Sequence, residues 1–322
     1  MKRFVGAVVV FLLLGCEEGA MQGDDDIGIE NVNDDTDFSI DSDSVKNAVV
    51  HDLFVNENPT VPGNGAVSDT RPLDVGKIPP DILAVINRDI AERPRAIVGA
   101  DNRKVVSNTK RFPYSAVVKV RIWWSDDDEY RECSGSLIAP DAVLTAAHCV
   151  YSTEYGSGSA YKIQVIPGQY QDSRYTEEPF GVRSGRKLFY PWQYVRFEDN
   201  WYHSIPYDYA VIRLKSPFDQ DKTGVMSYGV MPDPMNERAI LTAYHDDIDA
   251  GRKMMTSQDK VRRVLDNGTF NHYCDLDSGS SGGAITGTGK WQDKIFGIES
   301  SDRELSNGAK YNIAVLINPG DL

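Results

Sequence analysis

The chain has 322 residues, 41% of them hydrophobic, enough for a packed core, and a formal net charge of -14. An acidic balance of this size excludes a general nucleic-acid binder, which needs a basic face. No stretch after the N-terminus reaches the roughly 18–20 consecutive apolar residues that span a bilayer.

In chain order, Lys2 and Arg3 precede a short apolar run from Phe4 to Leu14, the form of an export signal rather than a span. Leu13-Leu14-Gly15-Cys16 resembles a bacterial lipoprotein signal, in which Cys16 is lipidated and heads the mature chain. An ordinary signal peptide is the other reading. Either one places the protein outside the cytoplasm, as a cell-envelope lipoprotein or a secreted protein, where disulfides become available. The cysteines are Cys16, Cys133, Cys149 and Cys274, so with Cys16 lipidated at most one internal pair forms and one thiol is left over.

Residues 17–95 read as an acidic disordered tether or pro-segment. Glu17 to Asp43 holds eleven acidic residues and no Lys or Arg, and few apolar groups are present to offset the entropy of ordering. Near its end, Asp81 is placed to cap a short helix running to Asp89. Arg93-Pro94-Arg95 then forms a basic site just before Ala96-Ile97-Val98-Gly99.

From residue 96 to 322 the text changes to short runs of β-branched and aromatic residues bounded by Gly, Pro, Asp and Ser. These runs are Ala116 to Trp124, Gly135 to Ala139, Val143 to Ala146, Lys162 to Ile166, Tyr209 to Leu214, Ala239 to Ala243, Ile295 to Ile298 and Asn312 to Ile317. Many short strands with few helices argue for an all-β sandwich or barrel.

Three segments carry chemistry. In Leu144-Thr145-Ala146-Ala147-His148-Cys149 a strand ends in small residues and a His stands at the turn, where an imidazole can serve as a general base. In Tyr207-Asp208-Tyr209-Ala210-Val211 an Asp leads into an apolar strand and is a candidate to hold the second ring nitrogen of His148. In Asp277-Ser278-Gly279-Ser280-Ser281-Gly282-Gly283 the glycines permit a sharp turn that exposes the Ser281 hydroxyl and aims backbone N–H groups at an oxyanion. Gly279 to Gly283 also fits the Gly-x-Ser-x-Gly elbow of α/β-hydrolases, but that fold needs a His after the Ser. The last His here is His272, and the observed order is His, Asp, Ser.

In that order the three segments resemble the chymotrypsin-like serine proteases, especially the bacterial glutamyl-endopeptidase-like branch. Ile97 to Arg103, followed by Phe112-Pro113-Tyr114-Ser115-Ala116, is similar to that branch's mature N-terminus, and Tyr311 to Val315 to its final strand. The resemblance implies two six-stranded antiparallel β-barrels with the active site in the cleft between them. It implies a serine endopeptidase with His148, Asp208 and Ser281 as triad and the N–H groups of Gly279 and Ser281 as oxyanion hole. It also implies a disulfide between Cys133 and Cys149, tying the His-bearing turn to the preceding strand. A catalytically silent binding module or adhesin on the same fold is the alternative.

Two departures affect regulation and specificity. Ser280 stands where trypsin-type enzymes carry the Asp that receives the new N-terminal ammonium, yet cleavage after Arg95 would still free a new end near the barrel. Glu299 stands where the glutamyl branch carries a His that reads acidic side chains. Asp275, six residues before Ser281, and His272 are further pocket candidates, and two carboxylates there favour a basic substrate residue, although an Asp at that spacing also occurs in the glutamyl branch as a structural turn residue. His203 and His245 read as surface or loop histidines. No Cys-x-x-Cys or His-x-x-x-His spacing exists, so no metal and no cofactor is expected. The expected partners are protein or peptide substrates, with membrane attachment only through Cys16, and the expected state is a monomer.

Overall fold

The architecture comes from a computed structural model that describes residues 48–52 and 97–317, apart from 125–128, 155–157, 172–174, 199 and 305–309. The signal segment with Cys16, the acidic run, the Asp81–Asp89 helix and Arg93-Pro94-Arg95 lie outside the described residues. No helix among those described is long and apolar enough to cross a membrane.

Two large sheets, with two small two-stranded ones beside them, make up the fold of the described residues. The first runs in the order Ala48–Asp52, Arg183–Pro191, Ala210–Leu214, Ala142–Thr145, Arg131–Ala139, Val117–Trp123, Lys162–Pro167. Arg183 and Ser184 pair back onto Val165 and Gln164, which closes six of these strands into a barrel. Closure removes free strand edges. It also explains the near-continuous apolar text of Val117–Trp123, whose residues are almost all buried. The inward residues Val120, Ile122, Val143, Ile163, Leu188 and Ile212 are at most 1% exposed. Each such side chain contributes about 1.5–3 kcal/mol by leaving water.

The second sheet runs Arg263–Val264, Thr269–His272, Lys310–Leu316, Lys294–Glu304, Ala284–Thr286, Arg238–Tyr244, Met254–Lys260, Lys104–Val105. Its core is a separate cluster around Leu241, Phe270, Ile285 and Phe296, with the two Phe rings stacked at 5.5 Å between centroids. All eight strands read from the sequence form. Arg183–Pro191, Met254–Lys260 and Thr269–His272 form as well, although their polar content hid them. Within the span read as a tether, Ala48–Asp52 is a strand that continues the first sheet, Ala48 opposite Pro191 through Asp52 opposite Lys187.

The two large sheets are joined by hydrogen bonds through Ser134, and second-sheet residues such as Met254, Ala284 and Ile298 belong to the same apolar cluster as the first barrel. Ser134, on the first sheet, donates its N–H to the Ser281 carbonyl (2.8 Å) and its hydroxyl to the Gly279 carbonyl (2.9 Å), and its hydroxyl accepts the Tyr244 N–H (2.8 Å). The contact is close enough that only glycine fits at 282. Its φ is +79°, and a Cβ there would fall 2.2 Å from Thr145 Oγ1.

Candidate active site

His148 sits in a one-turn 3-10 helix, Ala147–Cys149, directly after strand Ala142–Thr145. Cys149 beside it is bonded to Cys133 on the neighbouring strand, a 16-residue separation with 6.2 Å between Cα atoms. The turn that carries the imidazole is thereby fixed to the barrel wall. Cys274 is a buried free thiol whose Sγ lies 3.4 Å from the Ala239 carbonyl.

Asp208 follows the 3-10 turn Ile205–Tyr207 and precedes strand Ala210–Leu214, whose Ala210 lies opposite Thr145. That register brings the Asp to the His turn. Asp208 Oδ2 lies 2.7 Å from His148 Nδ1, and Oδ1 accepts the His148 backbone N–H at 2.8 Å. Ser300 Oγ donates to the same Oδ2 at 2.5 Å. Burial works to raise this carboxyl, which is 3% exposed, but His148 and the Ser300 hydroxyl outweigh it and hold it below its ordinary value. With Nδ1 committed to the carboxylate, the lone pair of His148 is left on Nε2.

Ser281 lies on the turn between strands Thr269–His272 and Ala284–Thr286 and lines one cleft of about 850 Å³ with His148 and Asp208. A Ser281 Oγ–His148 Nε2 bond is not among the hydrogen bonds of the described residues. Gly279 adopts φ +88°, and neither its N–H nor that of Ser281 has an acceptor among the described residues.

The three pocket candidates separate. Glu299 lines the cleft. His272 lies behind it, fully buried, with Nε2 2.7 Å from Glu299 Oε2. Asp275 does not line the cleft, contrary to the sequence expectation. Its carboxylate is fully buried and occupied by the backbone N–H groups of Val98 (2.8 Å) and Asn102 (2.7 Å), so it holds the segment from Val98 to Asn102 in place. Sequence spacing locates an Asp near the nucleophile but carries no information about which chain segment returns to it.

His245 also departs from expectation. It is 1% exposed, not a surface residue, and its Nδ1 accepts the Asp277 N–H at 3.1 Å, so it props the loop that carries Ser281. Burial, helped by Arg103, drives it down to about 3, and it stays neutral. His203 is exposed, as read. Sequence reasoning also missed Ser300, and Asp246 beside Gly279, which burial and Glu132 push up to about 6. The one available signal was that Ser300 lies in the polar stretch, Glu299 to Glu304, that follows the apolar run Ile295 to Ile298. Cys133, His148 and Cys149 cluster within 4.8 Å, but both sulfurs are spent in the disulfide and cannot act as thiolate ligands.

Comparisons with known proteins agree with this architecture. A protein named extracellular metalloprotease from Bacillus subtilis is 34% identical over 122 residues, covering 38% of this chain and 36% of that protein. Glutamyl endopeptidase from Bacillus licheniformis is 32% identical over 123 residues, covering 38% and 34%. The chain thus spans about a third of the length of these two curated relatives. The solved structure of a Glu endopeptidase in complex with MPD superposes with a TM-score of 0.57 over 69% of this chain and 94% of that one, at 24% identity, which supports the chymotrypsin-like fold. The family model described as Trypsin matches residues 102–319, and the chain belongs to that family.

Proposed function

We propose that the protein is an exported serine endopeptidase that hydrolyses peptide bonds through an acyl-enzyme. The observation that carries this reading is the His148 Nδ1–Asp208 Oδ2 contact of 2.7 Å in the cleft that Ser281 also lines. The carboxylate holds the ring in the tautomer whose Nε2 can take a proton, and it stabilises the imidazolium that results.

In the proposed reaction Ser281 Oγ attacks the substrate carbonyl while its proton passes to His148 Nε2. The absent ground-state bond between them is of the kind that tightens only when substrate is in place. The uncommitted N–H groups of Gly279 and Ser281 receive the oxyanion, and one such donor is worth about 3–4 kcal/mol of transition-state stabilisation. His148 then returns its proton to the leaving amine. A water activated by the same base releases the acid and restores Ser281.

Export rests on the Lys2 to Cys16 signal, and the Cys133–Cys149 disulfide fits an oxidising compartment. Lipidation of Cys16 and cleavage after Arg95 complete the proposed maturation of residues 1–95. A fluorophosphonate probe tests the core claim. It is expected to label the protein covalently and to leave Ser281→Ala unlabelled. Folded wild-type protein that takes no label, with or without cleavage after Arg95, overturns the enzyme reading.

A further inference from the structure

Next to Ser300, which bonds the triad carboxylate, the strand turns its preceding residue into a different environment. Glu299 is held against the nucleophile turn by two backbone bonds, its N–H to the Gly283 carbonyl (2.9 Å) and its carbonyl from the Gly282 N–H (2.8 Å). Its side chain lines the cleft, and the whole residue is only 1% exposed.

The hydrogen-bond inventory around Glu299 does not balance. An ionised carboxylate offers about four acceptor sites. Neither of its oxygens has an aligned hydrogen-bond donor among the described residues. Among the described residues the cationic candidate behind it is His272, whose Nε2 approaches Oε2 at 2.7 Å, off the hydrogen-bond line. His272 Nδ1 accepts the Cys274 N–H at 3.2 Å, so the ring carries its proton on Nε2 and supplies a single N–H. Across the strand pair, opposite His272, Asn312 has its amide nitrogen committed to the Cys274 carbonyl (2.6 Å), and its Oδ1 is also without a donor. Among the described residues the unpartnered atoms here are three acceptors, Glu299 Oε1, Glu299 Oε2 and Asn312 Oδ1, against one donor, His272 Nε2–H, so the surplus is of acceptors.

A buried carboxylate whose one neighbouring donor is misaligned is costly, and a site of this kind is completed by a ligand that supplies further charge and donors. An ammonium or guanidinium does so. An acidic side chain would meet a second carboxylate, and an aliphatic or aromatic one would leave the surplus in place. We infer that Glu299, backed by His272, is the specificity-determining residue of the pocket, and that it selects a Lys or Arg side chain on the acyl side of the scissile bond. The inference rests on the serine-endopeptidase reading, since it needs Ser281 as the nucleophile beside the pocket.

The test uses the full chain and fluorogenic peptides that differ only in that residue: Arg, Lys, Gln, Glu and Phe. The expected result is cleavage after Arg or Lys, with a preference over Gln that narrows by roughly 10- to 100-fold in Glu299→Gln, the range of a charge-assisted hydrogen bond. Fluorophosphonate labelling of the variant reports that its nucleophile is intact. Because the variant could misfold, a second measurement uses unmutated protein: benzamidine, a small amidinium, is expected to slow its labelling. Label uptake together with cleavage after Glu or Phe, with a basic preference that persists in Glu299→Gln, or with no slowing by benzamidine, overturns this inference and leaves the enzyme reading standing. No label uptake by wild-type protein overturns both.

Discussion

The molecule contains two histidine–carboxylate pairs at the same separation and in opposite circumstances. His148 and Asp208 stand 2.7 Å apart, with the imidazole 33% exposed and the carboxylate held by two further donors, the His148 N–H and Ser300 Oγ. His272 and Glu299 also stand 2.7 Å apart, but both are at most 1% exposed and the carboxylate has no further donor. In the first pair, charge on Asp208 is stabilised against burial and the ring keeps a free lone pair at the cleft. In the second, burial raises the Glu299 carboxyl even with His272 beside it. Similar groups at the same distance therefore give a carboxylate well supplied with donors in one place and an under-supplied one in the other. The surrounding donors decide which.

The comparison can be broken first at the exposed pair. His148→Ala is expected to lower kcat by about a millionfold, measured in steady-state peptide hydrolysis with Ser281→Ala as reference. Asp208→Asn keeps the shape but puts an amide against Nδ1, and is expected to cost about 10⁴-fold in kcat through the wrong tautomer. A loss under tenfold would mean that Asp208 is only a turn residue.

Support from outside the pair comes next. Breaking the disulfide with Cys133→Ser and Cys149→Ser is expected to lower the unfolding free energy by about 3 kcal/mol, read from urea melts. Ser300→Ala removes one donor from Asp208, allows burial to pull its carboxyl upward, and is expected to cost about 1.5–3 kcal/mol in transition-state stabilisation. If kcat is unchanged, the extra donors are not what separates the two pairs.

A third histidine sharpens the contrast by being buried without a carboxylate against its ring. His245 is driven down to about 3, while in the unfolded chain it titrates near its ordinary value of about 6.5. Between those values the unfolded state binds a proton that the native state does not. Its stability contribution is therefore intact above about pH 6.5 and is lost as pH falls toward about 3. The unfolding free energy of His245→Gln, measured across that range, is expected to fall less steeply than that of wild type.

The sequence by itself determined many of the strands and the candidate reactive groups. Alternating and continuous apolar runs specified eight strands because burial of apolar surface is a local property of a strand's text. The His, Asp, Ser order and the glycines around Ser281 named the candidate trio, because those side chains and that backbone freedom have few other uses together. Tertiary structure alone decided the partners. Asp275, six residues before the nucleophile, is claimed by Val98 and Asn102, which return from more than 170 positions away. His245, with the look of a loop residue, is sealed beneath Asp277. Ser300 becomes a support for Asp208 only through the packing of the second sheet against the first. A hydrogen bond depends on distance and direction in space, and neither quantity is written in the spacing of residues along a chain.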